Sequence, residues 1–132
     1  MTGVLDVSGA VEILLHKEKA EKFNNVLQES GYIIAPDLYV SELANTLWKY
    51  YSLKNLSLDI CTLYIQKGIA LVDKFIDSNV LWQEVFSESV KNGHSVYDMF
   101  YMVAARRNSG ILITSDSVLA GICKKNRIQL CY

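Results

Sequence analysis

The sequence predicts an α/β fold in which a mainly parallel sheet of five strands carries helices on both faces. Two observations lead to this prediction. Short apolar runs, several rich in β-branched residues, recur along the chain, and segments with a helical spacing of apolar residues separate them. Strands that alternate with helices tend to pair in parallel, because the chain crosses back over the sheet between them. The 132 residues suit one domain, residues 1–132, since a chain near this size buries roughly 68–70% of its unfolded surface.

The N-terminal segment predicts a strand, a short helix and a longer amphipathic helix. Residues 4–7 are rich in β-branched residues, which favours a strand. Residues 10–15 form an apolar run that suits a short helix, with Ser8 or Gly9 as its N-cap. From residue 17 to residue 28, apolar residues recur at helical spacing among Lys and Glu, as expected for a helix with one solvent-facing side.

A second strand and a long helix are predicted next. Residues 32–35 are a short strand, which Pro36 ends. Residues 38–53 have a broad apolar face that includes Trp48 and Tyr51, and this pattern predicts a helix.

The middle of the chain predicts two further helices around a third strand. Residues 58–67 have helical spacing, with Ser57 as the N-cap and Gly68 as the terminator. Residues 69–72 are apolar and predict the third strand. A helix is then expected over residues 77–91.

The C-terminal part predicts two helices and the last two strands. Ser95 can cap a helix over residues 96–107, which has an apolar face. The fourth strand is predicted at residues 111–114, a short helix at residues 117–125, and a final strand at residues 128–130.

The composition excludes some classes of protein. With 51% hydrophobic and 20% charged residues, the chain has the composition of a globular protein rather than a disordered one. A net charge of −1 gives no support to general polyanion binding. The three cysteines have no paired spacing, so we expect free thiols in the core. No run reaches the ~18 apolar residues of a membrane span, and we expect a soluble, cytoplasmic protein without a membrane partner.

Four acidic residues stand where the predicted fold can bring them together. Asp6 and Asp116 each come just as a predicted strand ends, and the carboxyl ends of parallel strands lie at one edge of a sheet, where such proteins bind their ligands. Glu42 lies one turn into its helix, and Asp98 lies in the first turn of the helix before the fourth strand. We therefore expect Asp6, Glu42, Asp98 and Asp116 to converge on one crevice.

Such a cluster needs a counter-charge. Carboxylates about 4 Å apart repel by roughly 4 kcal/mol per pair at an effective dielectric constant of 20. Oxygen ligands favour a hard divalent cation, Mg²⁺ or Mn²⁺. A metal held in this way can polarise a phosphate and lower the pKa of a bound water for attack on a phosphodiester.

Structural interpretations of the same residues stay open. Asp116 can cap a helix, Asp98 can oppose a helix dipole in the first turn, and Glu42 alone can be a solvated helix acid. Asp6 is harder to explain in this way, because Ser8 can already cap the following helix. The other acids singled out are expected to be solvated: Glu12, Glu18, Glu21, Asp73, Asp77, Glu84 and Glu88.

The basic residues and aromatic residues near helix ends have local explanations. His16 and His94 lie at helix ends, where histidine is common. Arg106 and Arg107 are expected to complement the C-terminus of their helix, with RNA phosphate as the alternative partner. Trp48 and its neighbouring tyrosines are expected in the core or on a dimer surface rather than as a platform for bases.

Taken in order, four motifs resemble those of the PIN-domain family, and within it the VapC-type toxins of toxin–antitoxin pairs. Residues 5–10 (LDVSGA) resemble the family's strand-end Asp with a small-residue turn, and residues 41–47 (SELANTL) resemble its helix motif centred on Glu. Residues 97–105 (YDMFYMVAA) are similar to the Tyr-Asp-x-x-Tyr-x-x-Ala helix, and residues 113–116 (ITSD) are similar to the closing Thr-x-Asp. The resemblance spans the whole chain.

The resemblance implies an α/β/α sandwich and a Mg²⁺- or Mn²⁺-dependent ribonuclease that cuts single-stranded or tRNA-like RNA. It implies that Asp6, Glu42, Asp98 and Asp116 are both the catalytic and the metal-binding acids. Ser8 and Thr114 would then be supporting hydroxyls. It also implies a homodimer and a small antitoxin protein that lies along the active-site groove.

Two other functions use the same residues differently. A receiver-like domain would accept a phosphoryl group on a strand-end Asp beside Mg²⁺, but no Lys follows the fourth strand as that function requires. A non-catalytic interaction module would only bind a partner. Metal-dependent RNA cleavage separates the ribonuclease from both.

Overall fold

The computed structural model describes residues 1–132, which form five strands and seven helices. The strands are β1 (Thr2–Leu5), β2 (Tyr32–Pro36), β3 (Lys74–Ile76), β4 (Ile111–Ile113) and β5 (Leu130–Cys131). The helices are α1 (Val7–Leu14), α2 (Ala20–Glu29), α3 (Leu38–Lys54), α4 (Leu58–Ala70), α5 (Ser78–Asn92), α6 (Val96–Arg107) and α7 (Ser117–Lys125).

All five strands pair in parallel, in the order β3-β2-β1-β4-β5. The predicted α/β/α class with a central five-stranded sheet is confirmed, and the sheet is wholly rather than mainly parallel. Strands that follow one another along the chain are always separated by at least one helix, as parallel pairing requires.

The strand order places a topological switch point between β1 and β4. From β1 the chain moves outward to β2 and β3, and it then returns through α5 and α6 to β4 on the other side of β1. Right-handed connections therefore put α1 to α4 on one face of the sheet and α5 to α7 on the other. Parallel sheets bind their ligands at such a point, beyond the carboxyl ends of the two strands.

The core lies on both sides of β1 and β4. Val4, Leu5, Leu112 and Ile113 are fully buried, as expected for central parallel strands covered by helices. Helix α6 packs against β1, β2 and β4, and half of its residues are buried. The three cysteines are buried free thiols, as predicted.

The predicted third strand is wrong. Residues 69 and 70 continue α4, and β3 begins only at Lys74. Gly68 does not end the helix but lies at a helix crossing, where a Cβ atom would come within 2.5 Å of the Leu43 side chain. Its carbonyl also accepts a 2.7 Å hydrogen bond from the Tyr39 hydroxyl. Close packing of the helices therefore requires glycine at position 68. In the sequence alone, such a glycine looks the same as one that ends a helix.

The predicted apolar face of the long helix is too broad. The side of α3 that faces the core is Tyr39, Leu43 and Leu47, spaced four residues apart. Trp48 is 60% exposed and Tyr51 is 50% exposed. Large apolar residues on a helix thus need not share its buried face.

The predicted strand at residues 4–7 lies instead at Thr2–Leu5, and the short helix predicted at residues 10–15 begins earlier, at Val7. The helices at residues 96–107 and 117–125 are found as predicted, and the last strand is displaced to Leu130–Cys131. None of the seven helices has the length and hydropathy needed to cross a membrane.

Candidate active site

The centre of the site is the pair of strand ends at the switch point. In the register of β1 and β4, Leu5 lies opposite Ile113. Asp6 and Thr114 follow these residues, so both side chains emerge together at the carboxyl edge of the sheet. The Thr114 hydroxyl donates a 2.6 Å hydrogen bond to Asp6 Oδ2.

Asp6 is a buried carboxylate with three donors. Only 5% of the residue is exposed. Its Oδ1 accepts hydrogen bonds from the Ser8 hydroxyl at 2.7 Å and from the Gly9 amide at 2.8 Å. Asp6 is therefore the N-cap of α1, which corrects the predicted N-cap at Ser8 or Gly9. Since that helix begins at Val7, the Ser8 hydroxyl lies in its first turn and serves Asp6 instead.

Burial raises the pKa of Asp6 to about 6, and the nearby charge of Asp116 adds to this effect. The three hydrogen bonds act in the opposite direction, because they stabilise the charged form. Burial outweighs the hydrogen bonds, so the charged form of Asp6 is costly unless a positive charge lies nearby.

Asp116 is placed by the turn between β4 and α7. Its Oδ1 accepts hydrogen bonds from the amides of Val118 at 2.9 Å and Leu119 at 3.1 Å, so it caps α7. Its own amide donates a 3.0 Å hydrogen bond to the Thr114 hydroxyl. The second carboxylate oxygen accepts no hydrogen bond from the protein. Asp116 thus caps a helix and still has an oxygen available on the side of the cavity.

Glu42 is held by a tyrosine of α6. The Tyr101 hydroxyl donates a 2.6 Å hydrogen bond to Glu42 Oε1, and Tyr101 is 2% exposed. Burial raises the pKa of Glu42, and the charge of Asp98 raises it further. Burial beside Glu42 also raises the pKa of Tyr101, so the hydroxyl stays protonated and remains a donor.

Asp98 is held by a histidine from the preceding turn. The His94 Nε2 atom lies 2.6 Å from Asp98 Oδ2, and the two residues are four positions apart at the start of α6. The chain turns between α5 and α6, and this turn places Asp98 in the same cavity as Asp6 and Asp116.

The four acids line one cavity of about 370 Å³. Its wall also includes the supporting Ser8, and the Tyr101 and Thr46 side chains. The structure thus brings together all four of the acids that the sequence singled out.

Comparison with known proteins gives relatives of one kind. No family model matches the chain. Ribonuclease VapC3 of Pyrobaculum aerophilum is 26% identical over 122 residues, which are 89% of this chain and 91% of that protein. The crystal structure of PAE2754 from Pyrobaculum aerophilum matches with a TM-score of 0.76 and 20% identity, over 98% of this chain and 83% of that one. A chain in the crystal structure of VapBC2 from Rickettsia felis, bound to a DNA fragment from their promoter, matches with a TM-score of 0.68 and 15% identity, over 99% and 98% of the two chains.

The resemblance to VapC-type PIN-domain proteins is confirmed. The likeness to a VapC ribonuclease extends over nearly the whole sequence. The solved structures add that the fold is the VapC PIN-like fold.

The donor set of this VapC-like chain fits a hard divalent cation in its chemistry. The four acids offer only oxygen atoms, and burial together with neighbouring like charges raises the pKa values of Asp6 and Glu42. In the present side-chain arrangement, no group of three or more Asp, Glu, His or Cys residues is placed to hold a metal ion. Asp6 Oδ2 accepts only the hydrogen bond from Thr114, so one of its lone pairs remains for a cation. The metal-binding and catalytic roles of the four acids stay a prediction.

Two residues of the site were missed because their local pattern suggests another role. Tyr101 belongs to the apolar face of α6, yet its position three residues after Asp98 places the two on one side of the helix. His94 precedes Asp98 by four residues and lies just before the Ser95 N-cap of α6, from where its ring reaches Asp98. Both signals are local and could have been used.

Several acids predicted to be solvated are not. Glu12 lines the cavity, and its Oε2 is buried without a hydrogen-bond partner. Glu88 is 8% exposed and lies 2.8 Å from Arg106. Asp73 is exposed as predicted, although it also accepts a 2.7 Å hydrogen bond from the Ile33 amide.

The two arginines lie in the last turn of α6, as predicted, and they also form ion pairs with a neighbouring helix. Arg106 pairs with Glu84 and Glu88 of α5. Arg107 pairs with Glu84 and donates to the Val80 carbonyl. These ion-pair partners come from α5 because α5 and α6 pack closely side by side.

Proposed function

We propose that this chain is a divalent-metal-dependent endoribonuclease and the toxin of a toxin–antitoxin pair. The observation that carries the proposal is the convergence of Asp6, Glu42, Asp98 and Asp116 on one cavity at the switch point of the sheet. The likeness to ribonuclease VapC3 supports RNA as the substrate.

The four acids would hold Mg²⁺ or Mn²⁺, and the bound metal would polarise the phosphodiester and lower the pKa of a water molecule for attack on phosphorus. The chain's own residues orient the acids for this task. Thr114 and Ser8 fix both oxygens of Asp6, and Tyr101 fixes Glu42. His94 fixes Asp98. Side chains that are positioned in advance lose little conformational freedom on binding, which favours both affinity and catalysis.

The proposal includes protein partners. One structural neighbour was solved as VapBC2, and this supports an antitoxin as partner of the present chain. Large apolar side chains are exposed on α3 and α5, among them Leu53 at 78%, Phe86 at 60% and Val90 at 71%. Such side chains favour contact with other protein surfaces, and we infer a homodimer that also binds an antitoxin.

A receiver-like function has less support. The lysine that a receiver-like domain requires after the fourth strand is absent, since Ser115 and Asp116 follow Thr114 there. A second acid at this position favours a bound cation beside Asp6.

The test is Asp116→Asn with a labelled RNA and Mn²⁺. Asn caps a helix as well as Asp, so the variant should fold, while the loss of one charged ligand should lower the cleavage rate by about 100-fold or more. EDTA should abolish the cleavage by the wild type. Asp59→Asn, an exposed first-turn acid of α4, is the matched control and should keep the wild-type rate. Full, EDTA-sensitive activity in the folded Asp116→Asn variant would refute the proposal.

A further inference from the structure

A cationic and aromatic rim lies at the mouth of the acid cavity. Lys17 and Tyr50 line this cavity together with the four acids. The Lys17 ammonium group lies 5.5 Å from the centroid of the Tyr50 ring, and the Lys54 ammonium group lies 5.3 Å from it. We call these three residues the rim.

The lysines of the rim carry charge that no acid neutralises. Neither Lys17 nor Lys54 forms an ion pair, whereas Arg106 and Arg107 are both paired with acids of α5. Lys17 is also the only cationic residue among those that line the acid cavity. Both lysines are solvent-exposed. The available positive charge at the site is therefore concentrated beside one aromatic ring.

Tyr50 is held in place by the fold. It is half-buried and packs against the hydrophobic core from α3, the helix that also carries Glu42. The two residues are eight positions apart, which is about 12 Å along a helix. The ring thus has a fixed position beside the acids rather than among them.

We propose that the rim is a subsite for single-stranded RNA, in which Tyr50 stacks on a base while Lys17 and Lys54 contact phosphates flanking the bond that is cut. The inference rests on the proposed ribonuclease function. Aromatic side chains and unpaired cations together are the elements that bind single strands without reading their sequence. The rim would also counter the repulsion between the acids and the RNA backbone.

A base can replace a lysine ammonium group on the Tyr50 ring because base stacking is stronger than an exposed cation–π contact. A cation–π contact at an exposed site favours the bound arrangement by about two- to fivefold. Stacking of a base on an aromatic side chain favours binding by about five- to 150-fold. A base can therefore displace an ammonium group from the ring, and the released ammonium group remains close enough to meet a phosphate.

The experiment measures binding of a fluorescein-labelled single-stranded RNA decamer by fluorescence anisotropy, with Ca²⁺ in place of Mg²⁺ and with the decamer checked for integrity. Tyr50→Leu, which keeps an apolar side chain, should weaken binding at least fivefold, whereas Tyr50→Phe should bind like the wild type. Lys17→Gln and Lys54→Gln should each reduce the slope of log K against log salt by about 0.7, the value for one phosphate contact with a single strand. Lys125→Gln, in the last turn of α7, is the control and should leave the slope unchanged.

The salt slope separates a contact with RNA from a structural role, because a destabilised fold does not change the number of phosphate contacts. If Tyr50→Leu fails to fold, the slopes of the two lysine variants decide. Unchanged slopes in both lysine variants, or no binding of the decamer by the wild type, would overturn the subsite. A wild type that cleaves RNA while its rim variants bind normally refutes only the subsite. A wild type that binds through the rim but never cleaves refutes only the ribonuclease.

Discussion

Asp6 shows how one residue can serve the fold and the site at once. Its carboxylate caps α1 through Gly9 and joins β1 to β4 through Thr114. The same burial that makes these bonds strong makes the charge costly, and this is why its pKa rises to about 6. A neutral residue in this place would cap the helix without that cost.

The raised pKa of Asp6 predicts a pH-dependent stability difference between wild type and Asp6→Asn. Between about pH 3.8 and pH 6 the folded wild type binds a proton that the unfolded chain has lost, so its free energy of unfolding falls as the pH rises through this window. Asn does not titrate. The stability of Asp6→Asn relative to the wild type should therefore increase from pH 4 to pH 7 by up to about 3 kcal/mol, the value of a shift of about two pKa units.

Urea unfolding at a series of pH values, in EDTA, measures this difference. The comparison with Asp6→Asn cancels the other titrating groups, including Glu88, whose pKa moves the other way beside Arg106. A difference that stays constant with pH, or that shrinks as the pH rises, would contradict the burial of a charge at Asp6.

At the scale of helices, the packing of α4 against α3 depends on a missing side chain. A Cβ atom at Gly68 would lie 2.5 Å from Leu43 Cδ2 and 3.1 Å from Leu14 Cδ1. The three helices can approach this closely only because position 68 is glycine.

Gly68→Ala is therefore expected to destabilise the protein by about 1–3 kcal/mol, the usual range for overpacking in a core. Gly121→Ala is the matched control, since Gly121 lies inside α7 with nothing within 4 Å of its added Cβ atom. There the better helix propensity of Ala should stabilise by roughly 0.5–1 kcal/mol. Chemical denaturation measures both changes. Equal effects of the two substitutions would show that helix propensity, and not the crossing, determines the result at position 68.

For the whole molecule, a cation in the cavity should couple the two halves of the fold. Asp6 and Glu42 follow β1 and β2, whereas Asp98 and Asp116 lie on either side of β4. A metal bound to all four would bind the folded chain and not the unfolded one, because these residues are far apart in sequence.

Mn²⁺ is therefore expected to stabilise the wild type. At a hundredfold excess over its Kd the gain is about 2.7 kcal/mol, which corresponds to a rise in Tm of roughly 5–10 °C for a chain of this size. The double variant Asp98→Asn, Asp116→Asn should lose most of this rise. Differential scanning calorimetry with Mn²⁺ or EDTA gives the comparison. The same Mn²⁺ effect in the double variant would place the metal elsewhere.

Much of the site could be predicted because its chemistry is carried by local patterns. Asp6 and Asp116 follow apolar runs that are recognisable as strands, and Asp98 opens a helix with clear spacing. The bounds of α6 were predicted correctly for the same reason, and Ser95 stands at its N-cap position, although the Ser95 side chain makes no capping hydrogen bond. The third strand was misplaced because a short apolar run such as residues 69–72 is compatible with a strand and with a helix. Only the packing of α4 against its neighbours decided between the two.

By itself the sequence determined the α/β class and singled out the four acids that the fold brings to one cavity, since these depend on periodicity and on side-chain chemistry. The tertiary structure alone decided that β1 lies beside β4, so that Thr114 reaches Asp6 across 108 positions in the chain. It also decided that Glu88 is buried against Arg106 and that the Lys17 ammonium group lies beside the Tyr50 ring. Such contacts join residues that are distant in sequence, and their energies depend on burial and distance, which no local pattern contains.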